Sequence, residues 1–261
     1  TTIIDTTICS LTRLRSTNAT EIAKVLENSY RATNIAFMVE WSRFAEEANV
    51  DLYSVIEAIR VRDSHSNLMF PGLGVGGYCL TKDPLLASWA RKTFFGSERL
   101  GMSEDSVSLN DQMPRFAFER LKNVFGPLGQ CSILLLGVSY RGDVGDSRFS
   151  PAEGLARLLE RGGALLSFHD PYIEFWEEIG SPVYSSLKNL LRKRWDLIVV
   201  SAGHSEYSTR DSVELIGKAE QSFIFDTVGL FSANDLEYLS SVHSVCVLGN
   251  GNTTFDQGDK G

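Results

Sequence analysis

The chain has 261 residues, of which 43% are hydrophobic and 22% are charged, and its formal net charge at pH 7 is -8. This length allows one large domain or two of ordinary size, and the composition is typical of a globular protein. The acidic balance argues against non-specific binding to nucleic acid or to anionic membranes, so an anionic ligand requires a local basic cluster.

The cysteines show no metal-ligand spacing and are too few for a disulfide scaffold, which predicts no metal site and a reducing, cytoplasmic location. They are Cys9, Cys79, Cys131 and Cys246. No apolar run reaches the length of a membrane span. The chain opens at Thr1 with no initiator Met and no signal peptide, which suggests that it begins within a longer protein.

Residues 1–17 mix β-branched and basic residues and are predicted to be a linker or a strand left from an upstream domain. Asn18, with Glu21 three residues later, indicates a helix N-terminus. From Glu21 to about Asn49 there is no Gly or Pro, and apolar residues recur at helical spacing over more than one face. We therefore predict a long helix over residues 21–48, buried in its own domain and forming a homodimer with a second subunit.

Three polar residues of this helix, Lys24, Asn28 and Arg31, are spaced i, i+4, i+7 and share one face. An ordinary solvated stripe explains such a trio equally well. A polar stripe on a buried helix is harder to explain in that way, because buried polar groups are costly without partners.

Further helices are predicted from start signals and apolar spacing. They are residues 55–61 capped by Asp51, a helix that Pro84 starts, and a helix from Ser103 to Phe125 that continues past Pro114. Residues 18–126 thus form a predicted helical domain, and the stretch Gly126-Pro127-Leu128-Gly129 marks its end.

The stretch from Met69 to Pro84 combines glycines with reactive side chains. Four glycines fall within six residues, and Cys79 follows, with Lys82 and Asp83 three and four positions later. Glycine lets another molecule approach the backbone closely. A thiolate favoured by a nearby cation is a nucleophile, and an adjacent carboxylate can activate water. An ordinary Gly-rich surface loop with a half-buried Cys is the alternative, but the combination favours an active-site loop.

Residues 127–261 alternate between strand and helix patterns. The apolar run at 131–138 is typical of a strand buried on both faces of a parallel sheet. Further strands are predicted at 164–168, 196–201, 223–226 and 245–248, with a helix that starts at Pro151 and a frayed tail from Asp256 to Gly261. The predicted fold is therefore a helical domain with a long helix, followed by an open parallel α/β, Rossmann-like domain.

Open parallel sheets bind ligands beyond the carboxyl ends of their strands. The loop after the first strand carries Arg141, Asp143, Asp146 and Arg148, so basic groups lie where an anionic ligand is expected. This loop is not a GxGxxG turn, because the next glycines after Gly137 are Gly142 and Gly145. A dinucleotide pyrophosphate turn is therefore not predicted there.

Three blocks in order resemble the UDP-glucose/GDP-mannose dehydrogenase family, the nucleotide-sugar 6-dehydrogenases. They are Glu21-x-x-Lys24-x-x-x-Asn28-x-x-Arg31-x-x-Asn34-Ile35-Ala36, Pro71-Gly72-x-Gly74-x-Gly76-Gly77-x-Cys79-x-x-Lys82-Asp83-Pro84, and Gly137-x-x-Tyr140-Arg141-x-Asp143-x-x-Asp146-x-Arg148-x-Ser150-Pro151. The family has an N-terminal NAD-binding domain, a central helical domain with a long dimer-forming helix, and a C-terminal nucleotide-binding domain. The chain resembles the last two, and the resemblance implies that it is part of a longer, NAD-dependent enzyme.

The resemblance also implies roles in oxidising the C6 alcohol of a UDP-sugar to a carboxylate, in polysaccharide biosynthesis. Cys79 would form a thiohemiacetal and then a thioester, Asp83 would activate the hydrolytic water, and Lys24 and Asn28 would stabilise oxyanions. Lys82 and Arg148 would face NAD. The residues expected to bind the substrate are Phe70, Gly72, Gly74, Gly76, Gly77, Tyr140, Arg141 and Arg62.

The chain departs from the family's pattern at several positions. Arg141 stands where the family usually has Lys, which keeps the charge and changes its shape. Val228 stands where the family often has Arg after a later strand, and the spacing from Arg62 to Cys79 differs by one residue. The sequence leaves two sugars open, UDP-glucose and a UDP-N-acetylhexosamine. It also leaves a second class of function, a non-catalytic nucleotide-sugar-binding or scaffold module.

Overall fold

The computed structural model describes residues 12–251, so the predicted N-terminal strand or linker lies largely, and the predicted tail wholly, outside the described residues. The first half of the described chain is helical: α1 (Thr17–Ala48), α2 (Leu52–Arg60), α3 (Tyr78–Phe95), α4 (Gly101–Asp111) and α5 (Met113–Phe125). The second half alternates strands and helices: β1 (Ser132–Leu136), α6 (Pro151–Arg161), β2 (Leu165–His169), β3 (Phe175–Trp176), β4 (Ser181–Pro182), α7 (Leu187–Leu190), β5 (Leu197–Val200), α8 (Arg210–Gly217), β6 (Phe223–Asp226), α9 (Ala233–Ser240) and β7 (Ser244–Val247).

The long helix is confirmed, but its N-terminus lies earlier than predicted. Ser16 is in extended backbone, and its hydroxyl accepts the amide of Ala19 at 3.2 Å, so α1 begins at Thr17. The predicted cap at Asn18 is wrong, because Asn18 lies inside the first turn of the helix. The Ser16 side-chain oxygen is the cap, since it accepts the Ala19 amide, which has no partner within the helix. The helix ends at Asn49, whose left-handed backbone (φ 55°) is a common helix end.

Asp51 caps α2 as predicted, accepting the amides of Tyr53 and Ser54. The predicted single helix from Ser103 to Phe125 is wrong, because the helix is interrupted at Gln112 into α4 and α5. Pro114 lies in the first turn of α5, where its missing N–H has no partner to lose.

The predicted start of α3 at Pro84 is also wrong. Helix α3 begins at Tyr78, directly after Gly77, whose φ of 80° suits glycine. Pro84 lies inside the helix, so the carbonyl of Leu80 loses its usual helical donor. As a consequence, Cys79, Lys82 and Asp83 lie on the first turns of a helix and not on a loop.

The second half forms the predicted open parallel sheet. Five strands pair in the order β2-β1-β5-β6-β7, and all four pairings are parallel. Side chains of β1 and β5 are buried on both faces, as their continuous apolar sequences predicted. The loop from Gly137 to Ser150, the segment after Asp170 and the turn after Val200 all leave the carboxyl edge of this sheet.

One of the buried apolar clusters extends across the two halves. Helix α5 packs against α6, and Met113, Ala117 and Leu121 join a buried cluster with residues of β1 and α6. Between residues 12 and 251, none of the helices combines the length and the apolar character needed to cross a membrane.

Candidate active site

Helix α3 and helix α1 bring three of the four predicted catalytic residues together. Cys79 is exposed in the first turn of α3, where the helix N-terminus favours negative charge. Asp83 lies four residues later and therefore on the same face of the helix. The side-chain amide of Asn28, which is buried on α1, donates to Asp83 Oδ2 at 2.6 Å. This bond fixes the position of the Asp83 carboxyl group, which lies one helical turn after Cys79.

The fourth residue, Lys24, lies one turn before Asn28 on α1 and is exposed. Its side chain lines a groove of about 790 Å³ between α1 and α3, together with Leu26, Leu86 and Ala90. The polar stripe is thus divided: Asn28 is buried against Asp83, and Lys24 faces the groove.

The glycine loop passes close to the loop between β1 and α6. A Cβ at Gly76 would lie 2.6 Å from the carbonyl oxygen of Phe149 and from the Cβ of Tyr140. A Cβ at Gly77 would lie 2.9 Å from the Tyr140 ring, and the Gly77 amide donates to the carbonyl of Arg148 at 3.2 Å. These glycines therefore permit close packing between the two halves, and the same packing places Tyr140 beside the start of α3.

Of the other loop glycines, Gly74 lies close to the end of α4, whereas Gly72 has no close neighbour. A Cβ at Gly74 would lie 2.6 Å from the carbonyl oxygen of Asn110, whereas a Cβ at Gly72 would have its nearest neighbour at 3.9 Å, the carbonyl oxygen of Thr227. The spacing Gly72-x-Gly74-x-x-Gly77 matches the letters of a dinucleotide fingerprint and opens a helix. However, no strand precedes it in the described chain, so the structural context of that fingerprint is missing.

The residues expected to face NAD lie around one pair of aromatic rings. The Lys82 ammonium lies 4.0 Å from the centre of the Tyr78 ring, which packs against Phe149 at 5.8 Å. Arg148, the residue before Phe149, forms a two-bonded ion pair with Asp146, at 2.9 Å from Nε and 2.7 Å from Nη2. Those hydrogen bonds lower the pKa of Asp146. A cavity of about 570 Å³ beside these rings is lined by Lys82, Tyr78 and Phe149 among others.

Of the remaining residues predicted to bind the substrate, Arg141 and Arg62 are exposed and Phe70 packs against neighbouring side chains. Arg141 is exposed at the carboxyl edge of the sheet, two residues before Asp143. The Phe70 ring stacks on Tyr53 at 5.8 Å and lies under the Arg60 guanidinium at 4.9 Å, so two neighbours already engage it. Arg62 is exposed after the end of α2, just before the short turn Asp63–His65.

Sequence reasoning missed a buried polar cluster under the Arg141 loop. His204, after β5, and Asp170, after β2, are both buried, and His204 Nε2 lies 3.0 Å from Asp170 Oδ2. Burial by itself raises the pKa of Asp170, but hydrogen bonds from His204 and from the amides of Tyr172 and Val138 hold it below its usual value. The available signal was positional, since both residues follow predicted strands at the carboxyl edge.

The position that departs from the family's Asp-x-Arg pattern has a structural role. Asp226 is fully buried at the end of β6 and accepts the amides of Val228 at 3.0 Å and Leu230 at 2.7 Å. Burial raises the pKa of Asp226, although these amides act against the shift. The carboxyl shapes the turn, and Val228 packs against the apolar core.

Comparison with known sequences agrees with the two-part fold. The model of the UDP-glucose/GDP-mannose dehydrogenase family, central domain, matches residues 18–111. The model of the same family's UDP binding domain matches residues 134–233. The chain therefore belongs to the UDP-glucose/GDP-mannose dehydrogenase family and contains its central and UDP-binding domains.

Among its relatives, the UDP-N-acetyl-D-mannosamine dehydrogenase of Methanocaldococcus jannaschii is 31% identical over 255 residues, covering 95% of this chain and 56% of the relative. The solved structure of the UDP-D-ManNAc dehydrogenase from Pyrococcus horikoshii matches with a TM-score of 0.70 and 27% identity, over 90% of this chain and 53% of that one. The NDP-N-acetyl-D-galactosaminuronic acid dehydrogenase from Methanosarcina mazei Go1 shares the fold with a TM-score of 0.76 at 24% identity, over 90% of this chain and 51% of that one. The chain thus spans about half the length of the curated relatives it matches.

Proposed function

We propose that this chain is the catalytic-cysteine and nucleotide-binding portion of an NAD-dependent UDP-sugar 6-dehydrogenase. The observation that carries the proposal is the contact between Asn28 and Asp83 one helical turn from the exposed thiol of Cys79. This arrangement places a thiol nucleophile and a carboxyl group on one face of a helix, and oxidation of an aldehyde to an acid through a thioester uses both kinds of group.

In the proposed reaction, NAD, which Lys82 and Arg148 would help to hold, would supply the hydride acceptor for both oxidations at the sugar C6, and the C6 hydroxyl proton lost in the first oxidation would pass to solvent water. The Cys79 thiolate adds to the C6 aldehyde after the first oxidation, forming a C–S bond and a thiohemiacetal. After the second oxidation the sulfur holds a thioester. Asp83 takes a proton from water, the water oxygen attacks the thioester carbon, and the C–S bond breaks to release the carboxylate and the Cys79 thiol.

The neighbouring side chains have positioning and electrostatic roles in this scheme. Asn28 orients Asp83 through the 2.6 Å bond, and Lys24 supplies a cation for the developing oxyanion. Exposed Lys82 and Arg148 lie around the Tyr78–Phe149 ring pair and provide two cations that fit the anionic cofactor. Tyr140, Arg141 and the glycine loop bind the nucleotide and the sugar.

For the sugar we propose an N-acetylated hexosamine in preference to glucose. The support is that curated relatives carry the name UDP-N-acetyl-D-mannosamine dehydrogenase. A panel of UDP-sugars, including UDP-glucose, tests this with the enzyme joined to its cofactor-binding domain. Uronate formation from UDP-glucose alone would contradict it.

The catalytic assignment is tested in the same joined enzyme by Cys79→Ser, with Cys131→Ser as the matched control. Cys79→Ser should abolish formation of the acid, while Cys131→Ser should leave it unchanged. Lys24→Ala should lower kcat on the order of 10²–10³, with little change in nucleotide affinity. Wild-type acid formation by Cys79→Ser would refute the covalent mechanism.

The chain without a cofactor-binding domain should bind UDP and produce no NADH, because hydride transfer needs the nicotinamide within roughly 3–3.5 Å of the reacting carbon. Adding that domain, fused or in trans, should restore NADH production. The alternative of a non-catalytic nucleotide-sugar module predicts UDP binding without turnover in both forms.

A further inference from the structure

The loop between β1 and α6, residues 137–150, is held from below by two buried side chains. Asp170 Oδ2 accepts the amides of Val138 at 2.9 Å and Ser139 at 3.1 Å, and the Ser139 hydroxyl at 2.9 Å. These bonds fix the start of the loop against the end of β2. A carboxylate that accepts several N–H donors in a buried site is strongly held.

His204 fixes a second point on the same loop. The amide of Asp143 donates to His204 Nδ1 at 3.0 Å. Because an amide nitrogen can only donate, Nδ1 carries a lone pair, and the ring proton of the neutral imidazole lies on Nε2, which donates to Asp170 at 3.0 Å. One imidazole thus joins the loop to the carboxylate that holds the start of the loop.

The span between the two fixed points contains the residues assigned to the nucleotide. Tyr140, Arg141 and Gly142 lie between Ser139 and Asp143, and a Cβ at Gly142 would lie 2.0 Å from the carbonyl oxygen of Gly203, the residue before His204. Asp143 itself has φ 59°, and its Oδ1 accepts both the amide and the hydroxyl of Ser205 at 2.9 Å. The backbone that presents Arg141 is therefore set on both sides by buried groups.

We propose that His204 and Asp170 are positioning residues for the nucleotide site: they hold residues 140–142 in the conformation that presents Tyr140 and Arg141 to the UDP moiety. The inference rests on the proposed function for its ligand. The positioning itself is a property of the ligand-free chain and can be measured without UDP.

Two substitutions at position 204 each remove one of the two hydrogen bonds that the His204 ring makes. His204→Gln offers an N–H to Asp170 and leaves the Asp143 amide without an acceptor. His204→Asn places an oxygen near the Nδ1 position, so it keeps the Asp143 bond and gives up the donor to Asp170. We expect His204→Gln to loosen the loop and His204→Asn to keep the loop in its wild-type conformation.

The chain provides a matched control in His243, another buried histidine of the same sheet. Its Nδ1 accepts the Ser222 amide at 3.2 Å, and its Nε2 donates to the carbonyl of Ile216 at 2.9 Å. His243 precedes β7 and Ser222 precedes β6, so this histidine lies at the amino edge of the sheet, away from the nucleotide. His243→Gln should lower the thermal stability and leave nucleotide binding unchanged.

The experiment uses the 261-residue chain and two readouts, calorimetry with UDP and hydrogen–deuterium exchange of peptides covering residues 140–149. His204→Gln should weaken UDP binding on the order of tenfold and speed exchange in the loop without ligand. His204→Asn should remain within about threefold of wild-type affinity. Equal affinities and equal loop exchange for the Gln and Asn variants would overturn the proposal.

The two readouts keep the hypotheses apart. If the wild-type chain does not bind UDP, the proposed function fails, and the exchange readout alone decides the positioning role. If the His204 variants do not fold, Ser139→Ala replaces them, because the Ser139 hydroxyl is one of the donors through which Asp170 holds the loop. That variant should speed loop exchange relative to wild type, and unchanged exchange would refute the proposal.

Discussion

The three cysteines in the described part of the chain have different surroundings. Cys79 is exposed at the start of α3, Cys131 is half-buried and Cys246 is buried in β7. Burial raises the pKa of Cys131, with a smaller contribution from the charge of Asp196, and burial raises the pKa of Cys246 to about 12. Since the thiolate is the reactive form, the raised pKa values disfavour reaction at Cys131 and Cys246, and exposure singles out Cys79.

Alkylation therefore should distinguish these thiols. In a Cys9→Ser background at pH 8, iodoacetamide should label Cys79 first and Cys246 only after the chain is unfolded. Peptide mass spectrometry at successive times measures each rate. Labelling of native Cys246 as fast as Cys79 would contradict the buried environment of β7.

Two glycines of the same loop should respond differently to alanine. At Gly76 a Cβ would meet the Phe149 carbonyl oxygen and the Tyr140 Cβ at 2.6 Å, so Gly76→Ala should cost about 1–3 kcal/mol of unfolding free energy. At Gly72 the nearest atom would be 3.9 Å away, so Gly72→Ala should stay within about 0.5 kcal/mol of wild type. Denaturant unfolding of the two variants side by side measures the difference, and equal losses would exclude close packing as the reason for Gly76.

Single residues also show where the sequence was sufficient and where it was not. The family blocks marked Cys79, Asp83 and Asn28, but the bond between Asn28 and Asp83 joins positions 55 residues apart and depends on how α1 packs on α3. His204 and Asp170 carry no local pattern, because a lone histidine and a lone aspartate after two strands meet only once the strands pair. Their positions after two strands could be read from the sequence, but the hydrogen bond between them could not.

Helix α1 buries mainly small and polar residues and exposes large apolar ones. The residues it buries in its own chain are mostly small or polar, such as Ala32, Ala36 and Ser42. Large apolar residues are exposed instead: Ile22, Leu26, Phe37, Trp41 and Phe44. The rings of Phe37, Trp41 and Phe44 contact one another in succession, and an exposed apolar cluster of this kind is typical of an interaction site.

We expect this exposed face to form the homodimer contact predicted for the helix. The double variant Trp41→Glu with Phe44→Glu should convert a dimer into a monomer, because it would bury charges in an apolar interface. Leu165→Glu, at an exposed apolar residue of β2, is the control and should leave the dimer intact. Size-exclusion chromatography with light scattering at micromolar concentration measures the mass, and a monomeric wild type would contradict the expectation.

Among the elements, strands were predicted better than helix ends. Buried parallel strands have a direct signature in continuous apolar runs, and β1, β5 and β6 lie within or at the predicted ranges. Helix ends depend on single hydrogen bonds, as at Ser16, and on turns such as Gln112 that interrupt an otherwise helical pattern. The prediction at Pro84 failed for a related reason, since the preference of proline for a first turn concealed the earlier start of α3 at Tyr78.

At the scale of the whole molecule, a buried ion pair of the helical half is hydrogen-bonded to the segment that follows β7. Nε of Arg120 on α5 lies 2.8 Å from Oε2 of Glu46 on α1, so the two groups form an ion pair, although the angle between them is not that of a hydrogen bond. Glu46 also accepts the amide of Gly249 at 2.7 Å, and Arg120 donates to the carbonyl of Gly251 at 2.7 Å. Burial raises the pKa of Glu46, which the Gly249 bond and the Arg120 charge offset only in part.

Removing the cation should therefore destabilise both halves together. Arg120→Met keeps much of the side-chain volume but leaves buried Glu46 without its ion-pair partner and the Gly251 carbonyl without its donor. Breaking a buried pair in this way costs about 3–5 kcal/mol, which corresponds to a fall in Tm on the order of 10 °C for a chain of this size.

The control is Lys122→Met on the same helix. Lys122 pairs with Glu119 at 3.2 Å on the surface, and this pair should contribute about 1 kcal/mol or less to stability. Since the core cluster of α5, α6 and β1 spans the two halves, calorimetry should show one transition for the wild type, shifted down in Arg120→Met and nearly unchanged in Lys122→Met. Equal Tm values for the two variants would mean that the Glu46–Arg120 pair does not couple the halves.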